Sequence, residues 1–277
     1  MRTEREMMGI ILGVAEADAG IRAVYLNGSR ANPNAPKDKY RDYDVVYVVT
    51  ETAPFVNDRA WLAPFGRPLI VQEPDLNGLR AGIADAAFES DLHYAYLMLF
   101  DDGNRVDLAV ETIALALRGI KDDKMTVVLL DKDGILPPLP PPTDEEYRAK
   151  RPEEAAFQAA CNEFWWCLNN VAKGIARDEL TYAMDMYNRH VRDMLNKVRE
   201  WHIGAENDFG VAAGKMGKYL KNTSRRKHAK GCARHTPPLI TLRCGRRYSA
   251  CARFSATPPA RWPSASDLPI TRRKNQT

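Results

Sequence analysis

Long apolar runs are missing from this 277-residue chain. None reaches the roughly 20 residues that crossing a bilayer requires. The amino terminus, MRTEREMMGIILGVAEAD, mixes acids with apolar residues at helical spacing, so it reads as an amphipathic surface helix and not as a secretory signal. A soluble cytoplasmic protein without a membrane partner is expected. Cysteine is scarce and unpatterned: Cys161, Cys167, Cys232, Cys244 and Cys251 make an odd number without CxxC pairs. That argues against a disulfide framework and for free thiols in a reducing compartment. Cys232 with His235, and Cys244 with Cys251, fit no common zinc spacing, and the five histidines are scattered without an HExxH. Acid is nearly absent from the end of the chain, where 14 Lys and Arg from Lys221 onward stand against Asp267 alone. The first 220 residues show the opposite balance, 26 basic against 35 acidic. Two segments of contrary character are joined.

What is present is a core-forming chain, 45% hydrophobic, long enough for one large or two ordinary domains. Strand-like runs occur at 21–28, 43–50, 67–72, 94–100, 105–111 and 126–134, with helical patterns at 3–18, around 55–64 and near 112–118. Asp101-Asp102-Gly103-Asn104 carries the Asp-Gly signal of a hairpin between two of those strands. Residues 1–135 therefore predict an α/β (α+β) domain with a mixed sheet and packed helices. LPPLPPPTDEE cannot continue a helix or a central strand, so 136–150 reads as a linker. From 151 to 221 apolar residues recur at three and four, over 152–179 and 180–204, which predicts an all-α domain. From 222 to 277 periodicity disappears and a disordered basic tail is expected.

The chemistry concentrates in NGSRANPNAPKDKYRDYDVVYVV, Asn27 to Val49. Gly28 ends a strand where the backbone can approach a ligand, and Ser29 adds a hydroxyl and an N–H suited to phosphate oxygen. By itself a Gly-Ser of this kind is equally a turn. Asp42 and Asp44 lie two residues apart, so both carboxylates project from one strand face while Tyr43 and Val45 face the core. Like charges so close are unfavourable unless a cation separates them. Asp107 interrupts an otherwise apolar strand and either faces solvent at an edge or completes a carboxylate set with those two. Such a set suits a hard, oxygen-seeking ion like Mg²⁺ on a nucleotide's phosphates.

Gly28-Ser29, twelve intervening residues, Asp42-Tyr43-Asp44-Val45 and a later-strand Asp107 resemble the nucleotidyltransferase superfamily whose small α/β domain is like that of DNA polymerase β. MRTE, NGSRANPN, DYDVVYVVT, YLMLFDDGNRVDL, LLDKDG, CNEFWW and NVAKG together resemble the aminoglycoside 6-adenylyltransferase family, over roughly residues 1–221. The resemblance implies transfer of AMP from ATP to the 6-hydroxyl of streptomycin. Gly28, Ser29 and Arg30 would meet the phosphates; Asp42 and Asp44 would hold Mg²⁺; Asp107 would complete the metal site or act as general base. Nucleotidyl transfer to another acceptor shares the same core motif.

In the helical segment Trp166, Asn170 and Lys173 fall on one helix face. Lys173 is a candidate for the triphosphate and Trp166 for the acceptor pocket, although Trp165 and Trp166 are equally candidates for core. Streptomycin carries guanidinium groups, so Asp178, Glu179 and Asp185 are candidates for its pocket, or they serve only the helix dipole. The basic tail, with Tyr248, Phe254 and Trp262, would also suit a nucleic-acid-binding arm. Against nucleic acid as a partner, the resemblance implies further helix here, and a shifted reading frame is compatible with that. Taking the third base of each codon with the first two of the next, Asn222 to His228 permits Tyr-Leu-Pro-Glu-Glu-Ala, similar to the family's continuation. The expectation is a helical domain truncated near 222 and an impaired enzyme.

Overall fold

The computed structural model describes residues 1–75 and 91–219, and the chain divides into two units, Met1–Asp144 and Glu145–Thr277. The expectations for residues 222–277, including the tail, its three cysteines and its aromatics, lie outside the described residues. Among the described residues, no helix is long and apolar enough to cross a membrane.

The first unit is a six-stranded mixed sheet. Helix α1 (Glu4–Ala17) opens it, started by a capping box in which the Thr3 hydroxyl accepts from the Glu6 N–H and the Glu6 carboxylate accepts from the Thr3 N–H. Strand β1 (Ile21–Asn27) follows, then a single turn, α2 (Gly28–Ala31), and β2 (Tyr43–Val49). Next come α3 (Ala53–Asn57), a 3₁₀ turn at Ala60–Phe65, β3 (Pro68–Gln72), β4 (His93–Phe100) and β5 (Arg105–Thr112). Helix α4 (Ile113–Gly119) and β6 (Val127–Asp131) complete the unit. The strand order is β3-β4-β5-β2-β1-β6, and only the β2–β5 pair among these is parallel.

Burial explains the sequence of each strand. In β4 and β5 alternate residues are buried, among them Tyr94, Tyr96, Met98, Phe100, Val106, Leu108 and Val110, which is the pattern of a sheet packed mainly on one face. Central β2 is buried almost throughout, which requires its run of valines; Asp44 is its one residue that is not fully buried. The main core lies between the sheet and α1, where the Tyr47 hydroxyl donates to the Ile11 carbonyl at 2.7 Å. On the other face Ala23, Tyr25, Val46 and Val48 pack against Ala116 and Ile120. Asp44 lies on that second face, ahead of Val46 and Val48, where the apolar cluster gives way.

The helix expected around 55–64 is broken in two. Asp58 accepts from the Ala60 N–H at 2.9 Å, an Asx turn, and Pro64 prevents regular helix beyond it. The hairpin at 101–104 forms as expected, with Gly103 at φ +79. It also ties down the amino terminus, because Asp102 accepts from the Arg2 backbone at 2.8 Å, from the Arg2 Nε at 2.7 Å and from Asn104.

In the second unit α5 (Glu154–Ala176) is followed by α6 (Leu180–Met186), a π-helical stretch at Tyr187–Val191 and α7 (Arg192–Glu206). The long second helix expected at 180–204 is thus interrupted by one wide turn. Cys167, Val171, Ala183 and Val191 form its small core, and Cys161 and Cys167 are free thiols.

Burial alone would push the Asp102 carboxyl up, but the bonds from Arg2 and Asn104 outweigh it and hold the group well below the usual carboxylate range. A depressed folded-state value gives stability that is present above the unfolded value near 4 and is lost as pH falls. Asp102→Asn is expected to cost about 1–3 kcal/mol at pH 7. In urea unfolding the gap between variant and wild type should narrow steadily below about pH 4.

Candidate active site

The register of two strands builds the site. In the parallel β2–β5 ladder Asp44 stands opposite Asp107, and in the antiparallel β1–β2 ladder it stands opposite Asn27. Residues in register on neighbouring strands share a sheet face, so the two carboxylates are lateral neighbours. Asp42 precedes β2 by one residue and is two from Asp44. Three acids 65 residues apart at their extremes are thereby gathered at one end of the sheet. Tyr43 and Val45, each 1% exposed, anchor the intervening positions in the core.

Gly28 meets this group directly. Its φ is +68, and a Cβ built on it would lie 2.2 Å from Asp44 Oδ2, so only glycine fits both the backbone and the approach. The conformation arises as the chain leaves β1 and turns into α2, which carries Ser29. The strand end, the tight turn and the aspartate therefore form one unit of structure.

Arg30, in the turn beside Gly28 and Ser29, is held by protein groups. Its guanidinium donates to the Asp42 carbonyl at 3.0 Å and the Arg41 carbonyl at 2.8 Å, lies 3.5 Å from the centre of the Tyr43 ring and pairs with Glu4 at 3.2 Å. With only 5% of its side chain exposed, it clamps the loop that delivers Asp42. Arg41 pairs with Glu4 from the other side at 3.5 Å. Neither Glu4 nor Arg41 stood out in the sequence, since a contact between a helix start and a loop more than 25 residues on leaves no periodic signature.

Arg105 is the group that sequence reasoning missed most plainly. Its Nε donates to Asp107 Oδ1 at 2.7 Å and a terminal nitrogen to Asp107 Oδ2 at 2.6 Å, a two-bond fork. A further nitrogen lies 3.7 Å from Asp42 Oδ2. These bonds to Asp107, followed by the fields of Asp107, Asp42 and Asp44, push the Arg105 guanidinium above its ordinary range against the effect of burial. The signal was available: Arg105 and Asp107 are two apart on a strand, the same spacing that singled out Asp42 and Asp44.

Whether these residues fit a divalent ion is decided by their chemistry. They offer hard carboxylate oxygens from adjacent positions on one face, partly open to solvent, with 41% of the Asp42 side chain and 21% of the Asp107 side chain exposed. The donor set fits Mg²⁺. The three acids share one end of the sheet, but their oxygens do not all lie within 4.8 Å of one another; among the described residues, the trio that meets that distance is Glu163, Cys167 and His190 in the second unit. Arg105 stands among the aspartates instead.

The remaining candidates lie in the second unit. Trp166 is 71% exposed on α5 and is not core, while Trp165 packs edge-on against Phe164 at 5.1 Å. Lys173 is exposed in the last turn of α5. Asp178 follows that helix at φ +58, a left-handed position that Asp tolerates. Asp185 is bonded to Arg189 one turn on, at 2.7 Å, and Glu179 precedes α6 without a side-chain capping bond.

A mixed sheet that carries a Gly-Ser turn against paired aspartates, with a third acid in register beside them, is the arrangement of a nucleotidyltransferase. The chain belongs to the streptomycin adenylyltransferase family, whose sequence profile matches residues 1–232. It is similar to the aminoglycoside 6-adenylyltransferase of Bacillus subtilis (strain 168), 37% identical over 228 residues, covering 80% of this chain and 76% of the relative. To the enzyme of the same name from Campylobacter jejuni it is 37% identical over 221 residues, covering 80% and 74%. A crystal structure of an aminoglycoside 6-adenyltransferase from Bacillus subtilis is 30% identical, with a TM-score of 0.40 over 92% of this chain and 88% of that one.

Gly28→Ala tests the close approach. The added methyl must displace the Asp44 carboxylate in a backbone conformation that alanine resists, so a stability loss above about 1 kcal/mol is expected. Calorimetric titration with ATP should show binding weakened alongside it.

Proposed function

We propose that this aminoglycoside adenylyltransferase moves the AMP of ATP to the 6-hydroxyl of streptomycin. The observation that supports the reading best is the register placing Asp107 beside Asp44, with Gly28 against Asp44. The turn at Gly28-Ser29 brings backbone N–H groups and a hydroxyl to the nucleotide's phosphates without steric obstruction. The acceptor oxygen attacks the α-phosphorus in line. A new O–P bond forms, the bond from that phosphorus to the bridging oxygen of the β-phosphate breaks, and pyrophosphate leaves. One aspartate takes the hydroxyl proton, and Asp107 is the proposed group for this or for metal binding. Asp42, Asp44 and Asp107 would hold Mg²⁺, which when bound supplies charge stabilisation for the phosphoryl oxygens. Position and electrostatics account for most of such a reaction.

The exposed Trp166 and the acids Asp178, Glu179 and Asp185 are the proposed partners of the guanidinium-bearing acceptor, and Lys173 of the triphosphate. Since Asp185 is already bonded to Arg189, acceptor binding through it requires that pair to open.

The reading also includes an altered carboxyl end. The codon arithmetic over Asn222 to His228 and the sudden basic composition support translation out of frame from about residue 222. Sequencing the coding DNA decides this, since stop codons in the shifted frame before the position of Thr277 would rule it out. The 277-residue protein should transfer AMP more slowly than a frame-restored version and aggregate more readily, because missing helices leave apolar faces wet at about 25 cal/mol per Å².

The decisive assay is transfer of labelled AMP to a panel of aminoglycosides, run with both versions. Streptomycin should be the acceptor, and chelation with EDTA should abolish transfer until Mg²⁺ is returned. Asp44→Asn and Asp107→Asn in the frame-restored protein should each lower kcat by about 100-fold or more, the scale on which general-base and charge-stabilising groups act. Labelling of a different aminoglycoside would replace the acceptor and leave the transfer chemistry standing.

A further inference from the structure

Arg105 occupies the position where a cation is needed. Its fork takes both oxygens of Asp107 at 2.7 and 2.6 Å, and its third nitrogen lies 3.7 Å from Asp42. Asp107 is in turn the register partner of Asp44. A guanidinium so placed balances part of the repulsion between carboxylates on adjacent strands. It also conflicts with a divalent ion on the same oxygens, since two cations cannot share them without strong mutual repulsion. Its side chain is 45% exposed, whereas that of Arg30 is 5% exposed. Arg105 can therefore swing into solvent from the first residue of β5, and Arg30 cannot.

We propose that Arg105 is the resident counter-ion of the aspartate site, displaced when a divalent cation enters, and that it keeps the nucleotide-free protein's affinity for that cation low. The inference rests on Asp42, Asp44 and Asp107 being the cation site. It has a functional consequence: the ion is taken up efficiently only with a nucleotide, whose phosphates supply further ligand oxygens and a new anionic partner for the released guanidinium. Arg105 thus acts as a positioning residue on the three aspartates, with a stabilising role when no ion is bound and an opposing role toward the ion.

Those two roles have opposite signs, which separates this account from a merely structural one. Mn²⁺ binding to the full-length, nucleotide-free protein is measured by electron paramagnetic resonance, together with thermal melting in the metal-free state. Arg105→Gln should melt lower than wild type yet bind Mn²⁺ at least about five-fold tighter, the lower end of ordinary coupling between two ligands. Arg105→Lys, which keeps the charge, should bind Mn²⁺ about as weakly as wild type. Unchanged or weaker Mn²⁺ binding by Arg105→Gln overturns the proposal. Should that variant not fold, wild-type protein with ¹⁵N-labelled arginine carries the test, with the Arg105 Nε–H signal assigned by its loss in Arg105→Lys. That signal should move when Mg²⁺ saturates the site; a signal that stays in place overturns the proposal. Asp44→Asn is the separate control. If it leaves Mn²⁺ binding untouched, the assignment of the cation site fails, an outcome distinct from failure of the counter-ion role.

Discussion

The parallel pairing of β2 with β5 sets two carboxylates side by side on neighbouring strands, and much of the first unit can be understood as accommodating that juxtaposition. Repulsion between Asp44 and Asp107 has to be balanced wherever the chain is folded. Arg105 balances it from two residues before Asp107, on the same face of β5. Gly28 gives the Asp44 carboxylate room where any other residue would press on it. The valine-rich remainder of β2 and the buried Tyr43 keep the strand from sliding in register, because a shift of one residue would exchange its core and site faces.

Around that pair the arginines differ in exposure. Arg30, sandwiched between Tyr43, Glu4 and two loop carbonyls, fixes the segment that carries Asp42. The tie from Arg2 to Asp102 fastens the start of the chain to the β4–β5 hairpin, and so to the strand bearing Asp107. Arg30 is nearly enclosed and Arg2 and Asp102 are partly buried, while Arg105 is close to half in solvent.

Family membership accounts for the chemistry, and individual residues account for its placement. The helical unit contributes an exposed tryptophan and several acids on helix ends, with a π-helical turn where a regular helix was expected. The wide turn contains Arg189, which engages Asp185, and ends at the buried Val191.

Sequence alone determined the strands, the hairpin at Gly103, the amphipathic first helix and the family, because alternation, turn chemistry and motif spacing are local properties. It also singled out Asp42 and Asp44 by their two-residue spacing and Asp107 as an acid in an apolar strand. Only the tertiary structure decided that Asp44 and Asp107 are neighbours, since strand order and register arise from burial summed over the sheet. The same holds for the neighbours of Arg30, a loop and a helix start that no local pattern joins. Arg105 falls between the two: its spacing from Asp107 is written in the chain, but the pairing of β5 with β2 brings its guanidinium to the acids of both strands. Charge is encoded residue by residue, whereas which charges meet is set by long-range packing that no local pattern records.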